Sequence, residues 1–554
     1  MIYQYRKELK IINIYLNTDK SYINFNKLVN TPYFVDKSLI INKLNQIIDT
    51  TNCYVCITRP RRFGKSSVAD MLGAYYSKEV HSKELFDKLN ISRCDGYEEN
   101  LNKYNVINIS FNEIPDHMNT YEDYIGMVKN SIKKDISDNY PEIDIGDFYN
   151  ISTVLRATNE RFIFIFDEWD YIFNNNLFEE HQNDFLEFLR NLLKDQPYVA
   201  LAYMTGVLPI KKYSSGSALN MFDEFTMLDD LQYGDYFGFL EKEVFELCSK
   251  QDKPSFNEIS EWYNGYMNED GERVYNPRSV VKSLVNRKCR SYWTNTGAMD
   301  EVAEYLKYNI HDIREDVIEM VAGNEIDIII DEEFRAGQRA PRTKEEIYSA
   351  MIVLGFLSYY DGYLRIPNKE LMKEFEKALK DESFGYVSEI VENSKKMLKA
   401  TVNGDIEIMA EILHDVHNSE IPILQYNDEN SLACVVTLAY LSARDTYRIE
   451  REDYLNGNSA SYSFGGVSDS HKKQVFGSLL KGYVDFAFHP RRKNDTAFIL
   501  ELKKDDTPEN AINQIKNKEY AQKFIKENED RKMVIAAICY DSKEKEHHCL
   551  VEEI

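Results

Sequence analysis

Five consecutive apolar residues, Phe162, Ile163, Phe164, Ile165 and Phe166, run directly into two carboxylates, Asp167 and Glu168. A strand that is apolar on both faces belongs inside a parallel sheet with helices above and below it. The surrounding chain is therefore expected to fold as α/β. The acidic pair then falls at the C-terminal end of the strand, where open α/β sheets place their ligands. Asp167 would hold Mg2+ through its water shell, and Glu168 would orient or deprotonate an attacking water. The plainer alternative is a buried strand with a solvated acidic end.

An upstream segment favours the ligand reading. The apolar run Cys53 to Ile57 leads into Arg59, Pro60, Arg61, Arg62, Phe63, Gly64, Lys65, Ser66 and Ser67, which open a helix-like stretch. A strand, a tight turn and a helix start together make a phosphate-binding loop. Backbone N–H groups face the phosphates, Lys65 reaches the β/γ-phosphates and Ser66 ligates Mg2+, so ATP with Mg2+ is the expected cofactor. In the eight-residue loop pattern the first glycine falls on Arg59, leaving Gly64, Lys65 and Ser66 as the standard half. A third apolar run, Tyr198 to Tyr203, is followed by Met204, Thr205 and Gly206. Thr205 could contact a γ-phosphate or simply end the strand.

A second constellation lies near the C-terminus. Tyr483 to Phe488 alternates, His489 to Asp495 is polar, and Ala497 to Lys503 returns, a hairpin pattern. Ile499, Glu501 and Lys503 share one strand face, Phe498, Leu500 and Leu502 share the other, and Asp485 can lie opposite the first set. Two carboxylates and a lysine suit metal-dependent phosphodiester cleavage. Asp485 and Glu501 would bind Mg2+, or Mn2+ in its place, the Leu502 carbonyl could add a ligand, and Lys503 would position or activate water. Exposed strand faces also carry such charges without any site.

The 554 residues suffice for three or four domains, and 43% hydrophobic content excludes a disordered chain. No apolar run approaches the ~20 residues of a membrane span, and Met1 to Lys20 lacks a secretory core. Eight scattered cysteines read as reduced, so a cytoplasmic protein with no membrane contact is expected. Cys53 and Cys56 lie within an apolar strand and read as core, and His547, His548 and Cys549 lie in a charged tail. A net charge of −25 argues against loose coating of nucleic acid. From Ile421 onward, however, 19 Lys and Arg stand against 22 Asp and Glu, so the acidity lies mostly upstream. Lys472, Lys473, Lys481, Arg491 to Lys493, Lys503 and Lys504 could form a phosphate-facing stripe, or merely solvate a hairpin tip.

Between the two constellations, residues 345 to 354 read as a helix. Gly355 to Tyr360, Asp361-Gly362 and Tyr363 to Ile366 then read as a hairpin with an Asp-Gly turn. That succession is winged-helix-like and fits either DNA contact or interdomain packing. Leu228 begins a helix-rich stretch, and residues 369 to 418 read as helical. Arg278 could approach the nucleotide from this region or make a surface ion pair.

Several ordered blocks resemble the bacterial and archaeal family that joins an AAA-ATPase-like domain to a C-terminal PD-(D/E)XK nuclease-like domain. They are Tyr33 to Ser38, Arg59 to Ser66, Phe166 to Glu168, Trp262 to Tyr266, Tyr275 to Pro277, Tyr292 to Thr296, Ile366 to Glu370, Ala511 to Ile515 and Tyr520-Ala521. The resemblance runs from about residue 25 to the end and makes the absent first loop glycine a family trait. It implies an N-terminal segment at 1–30, a P-loop AAA-like parallel-sheet core at 31–235 and a helical lid at 236–300. A winged-helix-like region at 301–375, a helical connector at 376–420 and a restriction-endonuclease-like α/β domain at 421–554 would follow.

The resemblance also implies an early glutamate in the nuclease part, placed on Glu452 with Glu450 as the rival. It puts Gln514 on a helix facing the strands, where it would orient metal or phosphate, or else be an ordinary polar helix position. Tyr483 stands where the family has arginine, and an insertion spans about 458–480. The expected function is an ATP-binding protein with a Mg2+-dependent nuclease acting on nucleic acid, DNA foremost, with homo-oligomers as further partners. A nucleotide switch whose nuclease-like domain binds nucleic acid or a protein without cutting is the alternative.

Overall fold

The computed structural model describes residues 13–115, 118–143, 146, 150–210, 218–294, 313–330, 343–379, 386–418, 429–451, 485–490, 495–517, 519–529 and 531–554. The chain divides into two compact units, Met1–Ile310 with Asp327–Leu371, and His311–Ile326 with Met372–Ile554. No described helix is long and apolar enough to cross a membrane.

The first unit is built on a five-stranded sheet. Its strands are β1 (Tyr54–Thr58), β2 (Asn105–Ser110), β3 (Phe162–Asp167), β4 (Val199–Gly206) and β5 (Asp223–Phe225), in the order β2-β3-β4-β1-β5. All four pairings are parallel. β3 is buried along its whole length, as its unbroken apolar run requires. Ile163 and Ile165 pack with Val55, Ile57, Val68 and Leu72 on one face. Phe164 and Phe166 meet the rings of Tyr198 and Phe111. The chain leaves β1 through the helix Lys65–Tyr76 and reaches β2 at the far edge, yet it leaves β4 for β5 on the other side of β1. Connections that depart in opposite directions open a crevice beyond the strand ends. The loop after β1 and the carboxylates after β3 both lie there.

The stretch after β5 holds the helices Glu241–Cys248, Phe256–Tyr263 and Pro277–Asn286. It also holds a small antiparallel sheet that its helix-rich reading did not include, made of β6 (Phe239–Leu240), β7 (Tyr266–Met267) and β8 (Arg273–Tyr275) in the order β6-β8-β7. Strands of two or three residues are too short to show a period of two. β9 (Ile326–Asp327) falls on the division between the units. The helix Lys344–Val353 precedes the hairpin of β10 (Ser358–Tyr360) and β11 (Tyr363–Arg365). Asp361 and Gly362 have φ of 51° and 86°, the two left-handed residues that an Asp-Gly hairpin turn supplies.

The second unit carries a mixed sheet in the order β12 (Tyr447–Arg451), β13 (Phe486–Pro490), β14 (Ala497–Lys504), β15 (Met533–Asp541) and β16 (Glu546–Glu553). β14 and β15 are parallel and the other pairs antiparallel. The parallel pair needs a crossover, provided by the helices Pro508–Asn517 and Glu519–Glu527. Ala511, Ile512, Ile515 and Phe524 of those helices bury Ala487, Ile499 and Ile535 on one sheet face. On the other face Tyr440 and Tyr447 pack against Phe488 and Phe498.

Candidate functional site

The first site is the crevice at the end of the parallel sheet. Gly64, at φ 94°, turns the chain into the helix that starts at Lys65. Lys65 is buried, and its ammonium donates to the carbonyls of Arg59 and Pro60 at 2.8 and 3.0 Å, spanning its own loop. Burial pulls its pKa down to about 8, while Asp170, Asp167 and Glu168 oppose the shift. Asp167 is buried, and its desolvation raises its pKa to about 6, a rise that the neighbouring Ser66 side chain opposes. β4 separates β1 from β3, so loop and carboxylate stand two strand spacings apart, ~10 Å. The first turn of the helix carries Ser66 across that gap. A hydroxyl and a carboxylate brought together beside a lysine form a donor set that fits a divalent cation bound with a nucleotide phosphate.

Thr205 pairs in register with Asp167, and its hydroxyl is buried with no hydrogen-bond partner among the described residues. Glu168 is half-buried and has φ 50°, a left-handed conformation uncommon for a residue with a side chain. Arg62 also has positive φ, 73°. Its pKa is lowered by burial, then by the neighbouring Arg278, with Glu168 acting in the opposite sense. Arg61, Arg62 and Arg278 thus gather positive charge at the lip of the loop. Arg278 lies in the first turn of the helix Pro277–Asn286, where Asn276 caps its N–H at 3.0 Å. Phe63, by contrast, is buried and sets its ring edge-on to Tyr266 at 5.2 Å, while Ser67 is half-buried behind Ser66.

Arg59 occupies the place of the missing glycine, and its side chain turns away from the phosphate crevice. It forms a buried ion pair with Asp230. Asp170 was absent from the sequence expectations. It is buried and accepts from the N–H groups of Val207 and Leu208 at 2.9 and 2.7 Å, holding the chain just after Thr205. Its position three residues past Asp167, at the start of the short helix Tyr171–Asn174, is the sequence signal that marks it.

The second site lies in the mixed sheet. Phe486 pairs with Leu500, which sets Asp485 beside Glu501. Asp485 Oδ2 accepts from the N–H of Leu502 at 2.5 Å. Glu501 is fully buried, and its Oε1 lies 3.3 Å from Lys503 Nζ. A carboxylate taken this far from water requires a partner, and Lys503 supplies the charge. The geometry brings together Asp485, Glu501, Leu502 and Lys503, and two adjacent carboxylates fit a divalent cation. Cys539 pairs in register with Lys503, and burial pushes its thiol up to about 12.

Gln514 lies on the helix Pro508–Asn517. It is exposed, because Ala511, Ile512 and Ile515 form the buried stripe of its helix and position 514 falls to one side of it. Glu452, Tyr483, the 458–480 insertion and the basic residues 472, 473, 481 and 491–493 lie outside the described residues, as does the side chain of Glu450. Ligand atoms of Glu544, in the turn before β16, and of Glu546 and His548, on β16 itself, lie within 4.8 Å of one another on the exposed surface.

Residues 22–215 match a predicted AAA-ATPase family, and residues 459–548 match the PD-(D/E)XK nuclease superfamily. An uncharacterized protein from the vnfD 5′ region of Azotobacter chroococcum is 29% identical over 278 residues, covering 48% of this chain and 51% of that protein. The chain thus spans about half the length of this relative. A Walker-type ATPase of Pyrococcus abyssi aligns over 61% of this chain and 94% of its own at 13% identity and a TM-score of 0.33. The ORC2 protein of Aeropyrum pernix aligns over 68% and 98% at 12% identity and a TM-score of 0.28. The chain therefore carries a domain of the predicted AAA-ATPase family, over residues 22–215, followed by a C-terminal domain of the PD-(D/E)XK nuclease superfamily, over residues 459–548.

Proposed function

We propose that this protein binds ATP with Mg2+ in its first unit and cleaves phosphodiester bonds of nucleic acid, DNA foremost, with a Mg2+-dependent site in its second. The observation that carries the reading is the meeting of Asp485, Glu501 and Lys503 at one strand end, with Asp485 fixed on the Leu502 N–H. Asp485, Glu501 and the Leu502 carbonyl would hold the divalent ion. When bound, such an ion supplies Lewis-acid charge at the phosphate and lowers the pKa of a water. Lys503 would position that water, and its ammonium would balance charge on the scissile phosphate.

In the first unit Lys65 and the loop N–H groups would take the phosphates, Ser66 and Asp167 the Mg2+, and Thr205 the γ-phosphate. Arg61 and Arg62 add positive charge at the mouth. Glu168 would orient the attacking water if ATP is turned over.

The test is cleavage of linear, circular and single-stranded DNA and of RNA with Mg2+ or Mn2+, with and without ATP. Metal-dependent cutting that Asp485→Ala abolishes is the expected result, and Lys65→Ala would then change its ATP response. A folded protein that binds but does not cut any substrate would replace the nuclease reading with that of a nucleotide switch.

A further inference from the structure

Arg59 is fixed from several directions. Its N–H donates to the Gly206 carbonyl at the end of β4 at 3.1 Å. Its guanidinium donates to the carbonyls of Thr58 and Phe225 at 2.7 and 3.1 Å and lies 5.4 Å from the centre of the Phe237 ring. It also pairs with Asp230, and the two side chains are 3% and 4% exposed. Asp230 is itself held, because its second oxygen accepts from the N–H groups of Gln232 and Tyr233 at 3.0 and 2.6 Å. The Arg59 carbonyl, in turn, is one of the two on which Lys65 rests. The peptide that locates the phosphate-binding lysine is thus anchored through a buried charge pair to a segment beyond the last strand of the sheet.

We propose that Asp230 is a positioning residue for the nucleotide loop. It acts through Arg59, fixing by side-chain contacts a loop position where the common pattern has a glycine. A glycine there lets the chain adopt the turn by conformational freedom. Here the turn is imposed by a planar guanidinium bonded on several edges, a geometry that lysine cannot reproduce. The inference rests on nucleotide binding by the first unit and extends it to a residue with no phosphate contact of its own.

The test measures binding of a fluorescent ATP analogue with Mg2+ by the full chain, alongside its thermal melting. The variants are Asp230→Asn, Arg59→Lys and the double variant Arg59→Met/Asp230→Leu, with Lys65→Ala as the reference for lost binding. Removing one partner strands a buried charge, whereas replacing both with apolar residues of similar size is commonly tolerated, so the double variant separates positioning from folding. The expected result is a Kd at least about tenfold weaker in all three, including the double variant at near wild-type melting temperature. A folded double variant that binds like the wild type would overturn the inference and leave ATP binding intact. Failure of the wild type to bind would overturn both.

Discussion

The Ser66 side chain, on the first turn of the helix after β1, lies close enough to the Asp167 carboxylate at the end of β3, across the intervening strand β4, to favour its charged form. This proximity brings a loop residue and a strand residue, distant in sequence, to one point in the crevice. Asp167→Asn should therefore weaken Mg2+-dependent nucleotide binding by about tenfold or more while leaving metal-free binding largely unchanged. Titrations with and without the cation would check this.

Asp167 also makes stability depend on pH. Its pKa is raised from 3.8 to about 6, so between these values the folded state holds a proton that the unfolded state has released. Stability then falls as pH rises through that window, by up to roughly 3 kcal/mol for this group. Denaturant unfolding of the nucleotide-free protein at pH 4.5 and pH 7 should show a smaller fall for Asp167→Asn than for the wild type.

Lys65 has the opposite sense. Its pKa is lowered from 10.5 to about 8, so burial of the ammonium costs stability that is recovered as pH rises through 8 to 10.5. At pH 7 Lys65→Met should melt a few degrees higher than the wild type without nucleotide, and lose ATP binding. An activity group held at the expense of stability behaves in this way. An unchanged or lower melting temperature would contradict it.

Asp485→Asn keeps an acceptor for the Leu502 N–H but removes a charge from the proposed metal set. Cleavage should drop on the order of 10²–10³-fold with the melting temperature nearly unchanged, and chelation of divalent ions should abolish cutting by the wild type. Equal loss of folding and activity would point to a structural carboxylate.

Gly265 has φ 126°, and a Cβ there would lie 1.5 Å from the Pro367 carbonyl oxygen. Gly265→Ala should destabilise the first unit by about 3 kcal/mol or more, measured by denaturant unfolding. The Trp262–Tyr266 block thus holds its glycine for a close approach to the Ile366–Glu370 block, and Glu370 in turn accepts from the Ser279 hydroxyl at 2.6 Å and the Trp293 N–H at 2.6 Å.

Where a residue's role follows from its immediate neighbours, the sequence reveals it. The unbroken apolar run of β3, the Gly64-Lys65-Ser66 turn, the Asp361-Gly362 hairpin and the shared face of Glu501 and Lys503 all follow from local spacing. Roles set by distant partners were not legible. Nothing near Arg59 announces Asp230, since the pair forms only when β5 is laid beside β1. For Gln514 a matching block gives identity at a position but not the phase of its helix, on which the residue is exposed. Asp170 escaped notice because its partners, Val207 and Leu208, belong to another strand's exit.

β14 is paired with β15 from Ala497 to Lys504 and with β13 from Phe498 to Leu500, and just beyond that second ladder the Leu502 N–H fixes Asp485. Side chains mounted on an interior strand have little room to be rearranged without unzipping its neighbours. If cutting is switched on and off, the switch has to work as a door and not as a tool being assembled. It would govern what reaches the carboxylates, while the blades stay set.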